Sequence, residues 1–143
     1  MAQAEFDPRN LSPEQFIQLV KSADDERIVE AIHAGGTERS LEQILSGMAD
    51  SYKGGNHDAD IQWAVTDEGT EHRWVLAVHD GKAEARPGEA ESPKVTLTTD
   101  LVSFVKMIAG VSNGTSLFMS GKLKLAGDMM FAMQIESMFE RPG

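Results

Sequence analysis

The stretch IQWAVTDEGTEHRWVLAVHDGKAEAR, residues 61–86, decides the fold class. Ile61, Trp63 and Val65 alternate with Gln62, Ala64 and Thr66, the period-2 pattern of a half-buried strand. Trp74, Leu76 and Val78 make a second strand, and Asp80-Gly81 joins it to a third at Lys82–Arg86 through the strongest short-range hairpin signal. Upstream the apolar residues recur at helical spacing instead. Leu41, Ile44, Leu45, Met48 and Tyr52 form one continuous stripe on a helix that opens at Thr37 and stops at Lys53-Gly54-Gly55-Asn56. Two shorter helices precede it. The first starts at Ser12-Pro13-Glu14 and carries Phe16, Leu19 and Val20. The second starts at Asp24-Asp25-Glu26, carries Ile28, Val29 and Ile32, and ends at Gly35-Gly36.

Downstream, an acidic loop from Pro87 to Pro93 leads to a fourth strand with Val95 and Leu97 inward. Asp100 begins a helix with Leu101, Phe104, Val105 and Ile108, closed by Gly110. A short apolar segment, Leu117–Met119, precedes a small strand with Leu123 and Leu125, and Gly127-Asp128 caps a last helix running to Phe139. Helices are thus segregated from a mainly antiparallel sheet, which is the α+β class.

The chain has 143 residues, one domain's worth, with 41% hydrophobic and 25% charged residues, a globular balance. There are no cysteines, which removes disulfide scaffolds, thiol nucleophiles and cysteine-ligated metal sites. No apolar run at the N-terminus reads as a secretory signal and none elsewhere reaches the length of a membrane span, so a cytoplasmic location is expected. The net charge is −10, carried as −7 over residues 1–60, −3 over residues 61–99 and zero over residues 100–143. That balance argues against nucleic acid as a partner and allows at most transient contact with an anionic membrane.

Several motifs resemble chemistry. Gly110-Val-Ser112-Asn-Gly114 matches a nucleophile elbow, but the preceding residues read as a helix rather than a strand, and the last histidine, His79, lies before the serine. His57-Asp58-Ala59-Asp60 offers nitrogen and oxygen ligands without a fourth partner, so no metal is expected. His72 and His79, an odd spacing apart, would point to opposite faces of one strand, and His33 sits where a helix dipole would favour it. No phosphate-binding glycine motif is present, and no cofactor is expected.

Methionine is the unusual feature. Six of eight fall in the last 37 residues: Met107, Met119, Met129, Met130, Met133 and Met138. On a helical repeat Phe131, Ala132, Ile135 and Phe139 share a core stripe, leaving Met130 and Met133 to project elsewhere. An apolar excess of this kind meets a second layer, another subunit or an apolar ligand, and methionine suits a surface that adapts to several shapes.

The same region carries a family likeness. Phe118-Met-Ser-Gly121-Lys-Leu-Lys-Leu-Ala-Gly127-Asp128-Met-Met-Phe-Ala132, running on to Met138-Phe139, resembles the C-terminal signature of the sterol carrier protein type 2 lipid-binding domain. Ile61-Gln-Trp63, Val95-Thr-Leu97-Thr before Asp100-Leu, and Gly110 with Asn113-Gly114 agree in order and spacing. The likeness divides the chain into a helical extension, residues 1–36, and a lipid-binding domain, residues 37–143.

The resemblance implies a five-stranded sheet flanked by helices, an apolar tunnel between them, and binding of sterols, fatty acids, fatty acyl-CoA or similar lipids without chemistry. Gly121 and Gly127 would serve the turns, and Asp128 would cap the last helix. The lining would come from strand positions Trp63, Val65, Trp74, Leu76 and Leu125. Helical positions Phe104, Met107, Ile108, Phe118, Met129, Met130 and Met133 would complete it. The chain ends Glu140-Arg-Pro-Gly143, without the Ser-Lys-Leu peroxisomal address of eukaryotic members. Residues 1–36 resemble the helical extension of some bacterial members, and a bacterial member is expected. The reading is a lipid-binding carrier, monomeric or homodimeric. The alternative is a non-catalytic accessory subunit whose apolar groove receives a partner protein or a quinone-pathway intermediate.

Overall fold

The structure, a computed structural model, describes residues 13–139. The expected cap Ser12 and the side chain of Phe16 lie outside what is described. Three helices, α1 (Pro13–Ser22), α2 (Asp25–Gly35) and α3 (Thr37–Asp50), lead into the meander β1 (Ala59–Asp67), β2 (Thr70–His79) and β3 (Lys82–Pro87). Then follow β4 (Val95–Asp100), α4 (Leu101–Ile108), α5 (Gly114–Met119), β5 (Leu123–Gly127) and α6 (Met129–Met138). The sheet order is β3-β2-β1-β4-β5, with β1 and β4 parallel and the other pairs antiparallel. The sheet is therefore mixed, and its parallel pair lies at the centre. No helix among the described residues is long and apolar enough to cross a membrane.

Both hairpins turn on two residues with positive φ, Glu68-Gly69 (52° and 83°) and Asp80-Gly81 (55° and 78°), the pair that matches the twist of adjoining strands. The first uses glutamate where asparagine or aspartate is usual, so sequence pattern alone does not mark it. Strand alternation then gives the sheet two unlike faces. On one, Trp74, Trp63, Leu97 and Leu125 stand in register across four strands, with Leu76, Ile61, Val95 and Gly127 in the neighbouring row. Helices cover this face: α3 lies on β3 and β2, and α4 lies on β1 and β4, where Phe104 meets the Trp63 ring edge-on at 5.2 Å. Val20, Ile28 and Ile32 of α1 and α2 join the same core.

The opposite face carries Lys82, Glu84, Arg86, Glu71, Arg73 and Lys124, yet Gln62 and Val75 are buried on it. The acidic loop is the reason. The Gln62 Nε2 donates to the Gly88 carbonyl at 3.1 Å, its Oε1 accepts the Ala90 N–H at 2.8 Å, and Arg73 pairs with Glu89 at 2.6 Å. The chain crossing from β3 to β4 is thereby fastened across the open face.

Side-chain caps start the later helices as the sequence implies. Asp100, Asn113 and Asp128 accept the N–H of Ser103, Ser116 and Phe131 at 3.0, 2.7 and 3.0 Å. Gly127, with φ of +108°, is the tightest backbone position: a Cβ there would lie 2.5 Å from the Lys94 carbonyl oxygen and 3.0 Å from Val95 Cα. Gly121 shares the sign of φ, +81°, but faces open space. Gly121→Ala is expected to cost about 1 kcal/mol, from backbone conformation alone. Gly127→Ala adds a clash with backbone that cannot step aside and is expected to cost about 2–5 kcal/mol. Urea unfolding of the two variants checks the contrast, and equal costs would remove the role given to the Lys94 contact.

Candidate functional site

The residues singled out from sequence separate into three environments. Trp63, Val65, Leu76 and Phe104 are fully buried, and Trp74 nearly so, on the covered face of the sheet. Met107, Ile108 and Leu125 are half-buried and pack against that core. Phe118 and Met129 are partly exposed, whereas Met130 and Met133 are 75% and 77% exposed. These last two lie on the surface rather than enclosed.

The geometry of α6 explains the division. Asp128 fixes its first turn, and its last residues are tied to the end of α3 by a Tyr52–Phe139 bridge and by the Lys53 N–H, which donates to the Met138 carbonyl at 2.9 Å. Phe131, Ile135, Met138 and Phe139 are buried, with Ala132 half-buried. The core stripe expected from spacing is therefore present, and Met138 adds to it. Met129, Met130 and Met133 occupy the opposite side, with no layer over them among the described residues. Met119, on α5, is 79% exposed, and α5 and α6 both pack against β5. Of the large apolar side chains that are exposed among the described residues, Val111 excepted, all sit on these two helices. Met119 belongs to the methionine excess visible in the sequence, but its exposure does not follow from a helix too short to show a period.

The polar residues are committed elsewhere. His33 Nε2 bonds Asp67 at 2.7 Å, His57 Nδ1 bonds the Tyr52 hydroxyl at 2.6 Å, and His72 pairs with Glu38. His79 is held by Asp58 and, at 2.8 Å, by Asp60. The sequence run His57-Asp58-Ala59-Asp60 therefore does not converge on one point, since its histidine and its carboxylates face different partners. His33, Asp67 and Glu68 do bring three ligand-type atoms together, although Asp67 already holds His33 and Glu68 is exposed. Ser112 lies in the turn between α4 and α5, not between a strand and a helix, and its N–H donates to the Lys106 carbonyl at 3.1 Å. All four histidines bond carboxylates or Tyr52, so the serine has neither the elbow geometry nor a histidine base.

Central parallel pairing, a helix-covered apolar face and a helix with an exposed apolar side define an α+β domain of distinctive layout. Residues 44–140 match the SCP-2 sterol transfer family, and the chain belongs to that family. The Candida maltosa oleate-induced peroxisomal protein POX18 is 43% identical over 75 residues, 52% of this chain and 59% of that protein. Human sterol carrier protein 2 is 33% identical over 75 residues, and the match spans only 14% of its length. Among solved structures, sterol carrier protein 2 like 2 from Aedes aegypti superposes with a TM-score of 0.55 at 20% identity, covering 70% of this chain and 94% of that one. The sec-alkylsulfatase Pisa1 from Pseudomonas sp. contains a similar fold, with a TM-score of 0.61 and 18% identity over 75% of this chain and 17% of the enzyme.

Two outcomes follow from these environments. Ile135→Ala is expected to cost about 2–5 kcal/mol, because its methylenes leave a cavity in packed surroundings. Met133→Gln is expected to change stability by no more than about 0.5 kcal/mol, because its side chain already meets water. Denaturant unfolding of both variants reads the difference. The second concerns His79, whose hydrogen bonds to Asp60 and Asp58 raise its pKa above the usual histidine value of about 6.5. A group with a raised folded-state pKa stabilises below the unfolded value and loses that contribution as pH rises through the folded one. Melting temperatures from pH 5.5 to 8.5 should therefore show a His79-dependent stabilisation at the acid end, absent in His79→Gln.

Proposed function

We propose that the chain binds and carries a hydrophobic ligand, such as a sterol, fatty acid, fatty acyl-CoA or similar lipid, without performing chemistry on it. The observation that carries this reading is the bare methionine side of α6, directly behind a helix face packed into the core. Flexible, polarisable side chains of this kind adapt to ligands of several shapes. Removal of apolar ligand surface from water would supply the affinity, at about 25 cal/mol per Å² before ordering costs. The names of the relatives support the same reading, since they include sterol carrier proteins and an oleate-induced protein. The commitments of the four histidines to carboxylates or Tyr52 support a non-catalytic role. The lining would combine the half-buried Met107, Ile108 and Leu125 with Phe118, Met129, Met130 and Met133, and opening between α4, α5 and α6 would admit the ligand.

A second reading is favoured by the size of the match. The similar region is a minor part of human sterol carrier protein 2 and of the alkylsulfatase, so such a domain also exists attached to others. In that reading the bare side of α6 receives a partner protein or a membrane-held quinone intermediate.

The expected result of calorimetry with a panel of long-chain esters, acids and sterols is one site per chain for at least one class. Met133→Gln should weaken that binding about tenfold, because an amide buried against an apolar ligand is left unpaired. Native mass spectrometry of the purified protein should show a co-purifying lipid. Zero stoichiometry across the panel, with a stable empty dimer, supports the interaction subunit instead.

A further inference from the structure

The covered face of the sheet holds two hydrogen-bond donors that no group among the described residues receives. Among the described residues, the buried side-chain nitrogen and oxygen atoms without a partner are Trp63 Nε1 and Trp74 Nε1. The two tryptophans are register partners on β1 and β2, with relative exposures of 1% and 4%. Every other buried polar side chain is engaged. Gln62 binds the acidic loop, Thr99 donates to the Lys122 carbonyl at 2.8 Å, Ser103 donates to Asp100 at 2.6 Å, and Ser40 donates to Ile32. An unmade hydrogen bond at a buried donor costs about tenfold or more in a folding equilibrium. Two such costs side by side, in a core otherwise satisfied, point to a group from outside the chain.

The charges around the pair narrow what that group is. On the same face His72 lies two residues from Trp74 and is paired with Glu38, and Asp67 is paired with His33. Both positions are thus already matched, and neither leaves a free cation on this face of β1 and β2. A carboxylate brought there would lose its hydration without a counter-charge, which is far more costly than desolvating a neutral carbonyl.

Resting on the lipid-binding reading, we propose that Trp63 and Trp74 anchor the polar end of the ligand, and that this end is a neutral acceptor, a ketone or ester carbonyl oxygen, rather than a carboxylate. The ligand then enters with its carbonyl toward the sheet and its chain toward the opening between α4, α5 and α6. Tryptophan suits the task because the indole N–H donates only, and the ring supplies apolar contact around it.

Three probes of equal carbon number test it: undecane, 2-undecanone and undecanoate, titrated at pH 7 into the full chain. A purely apolar site would favour undecane over the ketone by about tenfold or more, because the carbonyl must shed its water. With the indole donors in use, 2-undecanone is expected to bind at least as tightly as undecane and about tenfold more tightly than undecanoate. The indole N–H resonances of Trp63 and Trp74 should move downfield with the ketone and stay in place with undecane. Trp63→Phe and Trp74→Phe should lower the ketone-to-alkane affinity ratio. The resonance measurement on the unaltered protein decides the matter even where those variants fold poorly. Tight undecane binding with a weak ketone and unmoved indole signals overturns the anchor while leaving lipid carriage standing. Tighter binding of undecanoate than of the ketone overturns the neutral-acceptor class. If none of the three binds, the lipid-binding reading falls, and the anchor with it.

Discussion

The position of the last helix depends on the backbone of one residue, Lys94. Its N–H donates to the Asp60 carbonyl at 2.9 Å, and its own carbonyl accepts the Asp128 N–H at 2.9 Å. It thus joins the start of β1, the start of β4, the end of β5 and the cap of α6. The same carbonyl occupies the space where a side chain at position 127 would stand. A glycine there is the condition for the contact, and the contact is the condition for where α6 begins. With its other end bonded to the end of α3, the helix cannot rotate about its axis, so the burial of Phe131 and Ile135 and the exposure of Met130 and Met133 are settled together.

The elements that could be read from the sequence are those whose signals are local. The alternation of Ile61, Trp63 and Val65, the stripe from Leu41 to Met48 and the aspartate caps each report on a few adjacent residues, and each appears where expected. Tyr52, by contrast, falls beyond the end of α3, in the bridge to Phe139. The core side of α6 was legible for the same reason, since Phe131, Ile135 and Phe139 follow one helical period. What could not be read depends on contacts between distant positions. The loop after β3 looks like a solvated acidic connector until Gln62, 28 residues from Ala90 in the chain, is seen to hold it. His79 reads as a lone strand histidine, and its partners Asp58 and Asp60 lie across the sheet. The tryptophans read only as large inward residues, because a missing hydrogen bond has no sequence signature.

The proposed site would join two kinds of surface with different physical origins. On the sheet side the shape is imposed by strand register, which sets Trp63 beside Leu97, and by the edge-on contact of Trp63 with Phe104. On the helix side the shape is left to methionine, with three rotatable bonds and no layer above it among the described residues. Rigid walls favour discrimination and flexible walls favour breadth. A domain with one of each can recognise a feature at one end of a molecule while tolerating variation at the other.

The bare methionines have a further chemical consequence. Thioethers are oxidised to polar, chiral sulfoxides where oxidants reach them. Met119, Met130 and Met133 stand open to solvent, whereas Met138 is shielded in the core. Peroxide would thus alter the outer side of α5 and α6 well before it disturbed packing, turning an apolar surface into a hydrated one on an intact fold. Reductive repair would restore it without refolding, so the surface chemistry of this helix follows the redox state of its surroundings.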